Sequence, residues 1–130
     1  MKVEFLTSLR TEMLDDPWIR LLTDLVYMAE IDGVMCEIRV PTDFVSDLAS
    51  VPRIPIIYAM CGASARYSAV LHDYLCREGW DWMTAAMLFR QSMLAKPYPE
   101  PRWRANMMYA GVVARGILPY RTMPGVLDPR

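Results

Sequence analysis

The sequence predicts an α+β fold, an N-terminal β-hairpin in a small antiparallel sheet followed by a three-helix C-terminal half. Three observations carry this. Residues 34–40 alternate, with Val34, Cys36, Ile38 and Val40 on one face and Met35, Glu37 and Arg39 on the other, the period of a half-buried strand. Just before them, Asp32 and Gly33 form a dipeptide that accepts the positive φ values of a two-residue hairpin turn. Beyond Gly62 the spacing becomes helical, since Tyr67, Val70, Leu71, Tyr74 and Leu75 fall at i, i+3, i+4, i+7 and i+8.

Taken in order, residues 2–14 alternate loosely and are expected to add an edge strand to the hairpin of residues 21–40. Between 41 and 55 the periodicity stops. Pro41, Pro52 and Pro55, with Asp43, Ser46, Asp47 and Ser50, predict an ordered loop, in which the prolines lower the entropic cost of fixing the polar side chains. The first helix is expected to be capped by Ser64 and ended by Gly79. A second helix follows over residues 82–95, ended by a proline-rich stretch. The third is expected over residues 101–115, with Pro101 in its first turn and Gly116 just past its end. From residue 117 onward Pro119, Pro124, Gly125 and Pro129 predict an extended arm, so the expected organisation is one domain over residues 1–116 and a Pro-rich arm over 117–130.

With 130 residues, 54% of them apolar and 22% charged, the chain is long enough for one buried core and too short for two. A formal charge of -1, with the basic residues scattered, gives no electrostatic stripe for nucleic acid, which is not expected as a partner. No apolar run approaches the ~20 residues of a membrane span or resembles a signal peptide. The expectation is a protein made in, and not exported by sequence from, the bacterial cytoplasm, with no membrane partner. Cys36, Cys61 and Cys76 match neither a zinc framework nor a redox pair and read as reduced, buried thiols. Eleven methionines and four tryptophans suit a Met-rich core and a surface that packs on partner chains equally well.

One polar constellation stands out. His72, the single histidine, is followed by Asp73 on the first helix, and on a helical wheel both escape the apolar stripe and can face the Pro-rich loop. With Asp47 they would form a carboxylate–imidazole–carboxylate group, in which one acid fixes the imidazole tautomer and the other orients water or binds a cation. A divalent metal is conceivable there, although one histidine without matching cysteines would leave the site dependent on carboxylates; no other cofactor is expected. The same residues suit a structural pin equally concretely. In that reading Asp47 clamps the loop, Arg53 pairs with Asp73 or Asp47, His72 donates to a loop carbonyl, and Asp43 and Ser50 complete the polar cluster. Ser50 lacks the adjacent base a nucleophile needs. Either way, Asp47 and His72 are expected within hydrogen-bond or one-water distance.

The run Val40-Pro-Thr-Asp-Phe-Val-Ser-Asp-Leu-Ala-Ser-Val-Pro-Arg53, followed by Ala69-Val-Leu-His-Asp-Tyr-Leu75, resembles the signature of a phage-borne family, domain of unknown function 1353. Arg104, Tyr109 and Gly116 resemble that family's final helix, so the likeness covers most of the chain. Four positions depart from the pattern. Asp43 stands at a glycine, Ser46 at a threonine, Cys76 at a tyrosine, and Ala86 at an aspartate three residues before Phe89. If that aspartate is a ligand or orienting base in relatives, this chain has lost it. The His-Asp helix is also similar to that of secreted phospholipases, but their Gly-rich calcium loop and disulfide framework are both missing here.

The resemblance implies a bacteriophage origin, and with it a virion structural or assembly protein of the tail, tail tip or baseplate, whose partners are other virion proteins. The rival expectation is a small virion-associated cell-wall hydrolase using Asp47, His72 and Asp73.

Overall fold

The computed structural model describes residues 3–15, 18–46 and 63–117. Six strands come first: β1 (Glu4–Phe5), β2 (Thr11–Met13), β3 (Ile19–Leu21), β4 (Leu25–Ile31), β5 (Val34–Val40) and β6 (Val45–Ser46). Three helices follow: α1 (Ala63–Arg77), α2 (Trp82–Met93) and α3 (Arg102–Ile117). The fold is α+β, as the sequence predicts, with two antiparallel sheets of three strands each in the orders β1-β4-β5 and β2-β3-β6.

The hairpin β4–β5 is in the register that the turn dictates, with Ile31 opposite Val34 and Leu25 opposite Val40. Asp32 and Gly33 both have positive φ, 51° and 79°, which matches the right-handed twist of the flanking strands. The second sheet was not expected. Residues 2–14 supply two short strands, β1 on β4 and β2 on β3, and β6 lies inside the segment read as a loop. Its two residues pair with Ile19 and Arg20, too short a stretch for alternation to register in sequence.

The helix ends follow local chemistry. Ser64 lies within α1 and does not precede it. Gly79, at φ 83°, closes α1: its N–H reaches the Cys76 carbonyl at 3.2 Å and the Trp80 N–H reaches Leu75 at 3.1 Å, a Schellman pair. Asp81 caps α2 by accepting from the Thr84 N–H at 3.1 Å. The Pro101 carbonyl starts α3, accepting from Arg104 at 3.0 Å and Ala105 at 3.1 Å. Gly116 and Ile117 belong to α3, so Gly116 lies within the helix and not just past its end; residues 118–130 of the expected arm lie outside the described residues.

Packing places α1 between two apolar layers. Tyr67, Val70, Leu71 and Leu75 face the sheets, against Leu21, Leu25, Tyr27 and Val40. On its other side Ala69 joins Ala86, Phe89 and Met93 of α2 and Met108 of α3. Gln91 ties α2 to β4, accepting from the Tyr27 hydroxyl at 2.8 Å and the Glu30 N–H at 3.1 Å while donating to the Glu30 carbonyl at 2.9 Å. Burial pushes the Tyr27 phenol upward, so it remains a neutral donor.

Candidate functional site

The double-sided packing of α1 decides the environment of the His-Asp pair. The wheel puts His72 and Asp73 off the apolar stripe, yet both are buried, at 5% and 9% exposure. α2 covers what would otherwise be the helix's open side, and the His72 ring lies 5.4 Å from Phe89, tilted by 57°. Small residues make the approach possible. Ser68, one turn before His72, is fully buried, and its hydroxyl is hydrogen-bonded to the Ser92 hydroxyl of α2 at 2.7 Å.

Asp73 is held by Arg77, four residues on, whose Nη2 donates to Oδ2 at 3.0 Å. The same guanidinium reaches β6, where Nη1 donates to the Val45 carbonyl at 2.6 Å. Its plane also lies over the Phe44 ring, 4.9 Å from the centroid. Phe44 in turn meets Tyr74 edge-on at 5.5 Å and 84°. One cation therefore fastens the last turn of α1 to the strand that opens the Pro-rich segment.

Cys76 completes the described cluster. Its Sγ is 3.6 Å from Nε2 and 3.9 Å from Nδ1 of His72. Although the residue reaches the surface, the crowding around its sulfur, reinforced by the Asp73 carboxylate, pushes the thiol up to about 11. At neutral pH it is a protonated thiol and a poor nucleophile. No group of three or more His, Cys, Asp or Glu side chains able to hold a metal ion is assembled among the described residues.

Of the residues singled out from the sequence, His72 and Asp73 are adjacent in this cluster. Asp43 is exposed in the turn after β5, at φ 73°. Its N–H donates to the Leu21 carbonyl at 2.9 Å and the Phe44 N–H donates to Pro41 at 3.2 Å. That left-handed position accounts for a glycine in the pattern this segment resembles. Asp47, Ser50 and Arg53 lie outside the described residues, and so does the expected approach of Asp47 to His72. Ser46 is buried in β6, opposite Ile19. Ala86, at the aspartate of the pattern, is fully buried in the α2 core with Ala69 and Phe89.

Arg77, Phe44 and Val45 were missed from the sequence. The Asp73–Arg77 spacing of four was a usable signal; the contact with Val45 had none. A cleft of about 560 Å³ lies elsewhere, between the hairpin tip and α2, lined in part by Val3, Ile31, Met87, Leu88, Leu94 and Tyr109.

Residues 19–112 match the family described as "Protein of unknown function (DUF1353)". No curated protein and no solved structure matches the chain. The matched span runs from β3 into α3 and includes His72, Asp73, Cys76 and Arg77 together with Phe44 and Val45.

Proposed function

Because this chain belongs to the DUF1353 family, and because the matched span contains the whole described pin, we propose that it is a bacteriophage virion structural or assembly protein in which His72, Asp73 and Arg77 hold the fold together. The tail, tail tip or baseplate is the proposed location, reached after synthesis in the host cytoplasm, with other virion proteins as partners. The observation that carries the structural role is the engagement of Asp73. Its carboxylate is buried and bonded to Arg77, whose other terminal nitrogen is bonded to β6. A carboxylate held this way is a fixed acceptor, whereas general acid–base work needs one that exchanges a proton with the substrate.

Two further features support an assembly role. The likeness of the loop and the His-Asp helix to a phage-borne pattern supports the origin. Trp80, Trp82 and Trp103 are each more than a third exposed, as are Met83 and Met87, and large aromatic and thioether side chains are the ones enriched at protein interfaces. No helix among the described residues is long and apolar enough to cross a membrane.

The test is to express a tagged copy in an infected host, purify particles by sedimentation and follow the tag. Co-sedimentation with tails or whole particles supports the reading. A chain that stays in the soluble fraction while clearing peptidoglycan in a gel assay, and loses that activity as His72→Ala, would replace it with the hydrolase reading.

A further inference from the structure

Among the described residues, the sheet β1-β4-β5 is covered at one edge and open at the other. On the β1 side the strand has two residues, and the Phe5 N–H bonds the Lys96 carbonyl at 3.0 Å, so the segment after α2 covers that edge. On the other side β5 presents seven residues. The two-residue turn makes Ile31 and Val34 a hydrogen-bonded pair, so Val34, Cys36, Ile38 and Val40 direct their backbone groups to β4. The N–H and C=O groups of Met35, Glu37 and Arg39 therefore point outward, and among the described residues no strand pairs with them. An open edge of this length is a template for a further strand.

We propose that β5 pairs antiparallel with β5 of a second copy, about a two-fold axis at Ile38, joining two three-stranded sheets into one continuous sheet. The side chains select both the occupant and the register. With Ile38 opposite Ile38, Glu37 of each copy faces Arg39 of the other, so two opposite-charge pairs form and the outward backbone groups of both residues are satisfied. On the buried face Cys36 meets Val40. Sliding the axis to Glu37 would put Glu37 against Glu37 and lose both pairs. Arg39 and Glu37 have side chains 52% and 48% exposed and contact each other at 3.3 Å, while the other terminal nitrogen of Arg39 donates to Asp24 at 3.1 Å, so the pairing exchanges the Glu37 contact for the same contact with a neighbour and leaves Asp24 in place. A single strand pair is a small interface, and the dimer is expected to be weak and concentration-dependent. The pairing does not depend on the chain's place in a particle.

Analytical ultracentrifugation of the full chain over a wide concentration range tests it, with circular dichroism confirming that each variant is folded. Wild type should show a monomer–dimer equilibrium. Glu37→Arg and Arg39→Glu should each weaken it about tenfold or more, and the double variant Glu37→Arg/Arg39→Glu, which restores opposite charges, should recover most of the loss. Glu37→Pro, which removes an outward N–H together with the Glu37 carboxylate and no bond to β4, should abolish dimerisation while the hairpin folds. A chain that is monomeric at every concentration up to about 1 mM, a dimer indifferent to Glu37→Arg and Glu37→Pro, or a double variant no better than the singles would overturn the proposal.

Discussion

Arg77 donates to the backbone carbonyl of Val45 at 2.6 Å across 32 residues of sequence, and so ties the end of α1 to β6. With its 3.0 Å bond to Asp73 and its position over Phe44, the guanidinium serves three neighbours from two different layers of the fold. Its removal should therefore be felt by the whole molecule.

Arg77→Met keeps much of the side chain's length but leaves the Asp73 carboxylate and the Val45 carbonyl without this donor. We expect a loss of about 2–3 kcal/mol in urea unfolding. Arg77→Lys, a single point charge, should recover only part of it because it cannot reproduce the planar fork. Stability equal to wild type for Arg77→Met would show that the contacts with Asp73 and Val45 contribute nothing net.

Gln91 joins α2 to β4 through the Tyr27 hydroxyl and both backbone groups of Glu30. Gln91→Ala leaves the Tyr27 hydroxyl and both backbone groups of Glu30 without their partner, and should cost about 2–3 kcal/mol. Tyr27→Phe alone removes one bond and should cost about 1 kcal/mol, and the double variant should cost less than the sum. Strict additivity in thermal unfolding would contradict this shared network.

At Asp43 the backbone, at φ 73°, is in a region that costs a residue with a Cβ about 1–2 kcal/mol. Asp43→Gly should raise the melting temperature slightly, its gain partly offset by the greater freedom of glycine in the unfolded chain. Asp43→Val should lower it. Equal melting temperatures for the two variants would mean that the turn does not impose its conformation.

The Cys76 thiol, pushed up to about 11, should react with iodoacetamide far more slowly than free cysteine at pH 8, with the rate still climbing above pH 10. Stability should follow the same group. The folded chain holds this proton more tightly than the unfolded chain, so the contribution is present below the ordinary thiol value of 9.0 and is lost as pH rises towards 11. Peptide mapping after timed alkylation resolves the site, and full modification of Cys76 within the half-life of free cysteine at pH 8 would contradict the raised value.

Much of the fold was legible because its signals are local. Asp32 and Gly33 with the alternation of β5 define the hairpin, and the spacing from Tyr67 to Leu75 defines α1. The sheet β2-β3-β6 was not, since its strands of three, three and two residues are too short to show a period and Ile19 finds Ser46 from far along the chain. For the candidate site, sequence named His72 and Asp73 but placed them on the polar face of α1, towards the Pro-rich loop, with no sign of α2 beside them. The second buried side of α1 is made by Ser68 and Ala69, small residues that carry little weight in an apolar stripe, and its cover comes from Phe89 on another helix. Arg77 was within reach as the residue four after Asp73, but nothing local in the sequence joins it to Val45.

The central claim, that the His-Asp cluster is structural, is tested most directly by the unfolding free energies of His72→Ala, Asp73→Asn and Arg77→Met, with peptidoglycan hydrolysis followed on the same samples. The account predicts that each variant loses about 1–3 kcal/mol, that Asp73→Asn and Arg77→Met together lose less than their sum, and that no hydrolysis by wild type depends on these residues. Variants as stable as wild type that abolish a measurable lytic activity would contradict it.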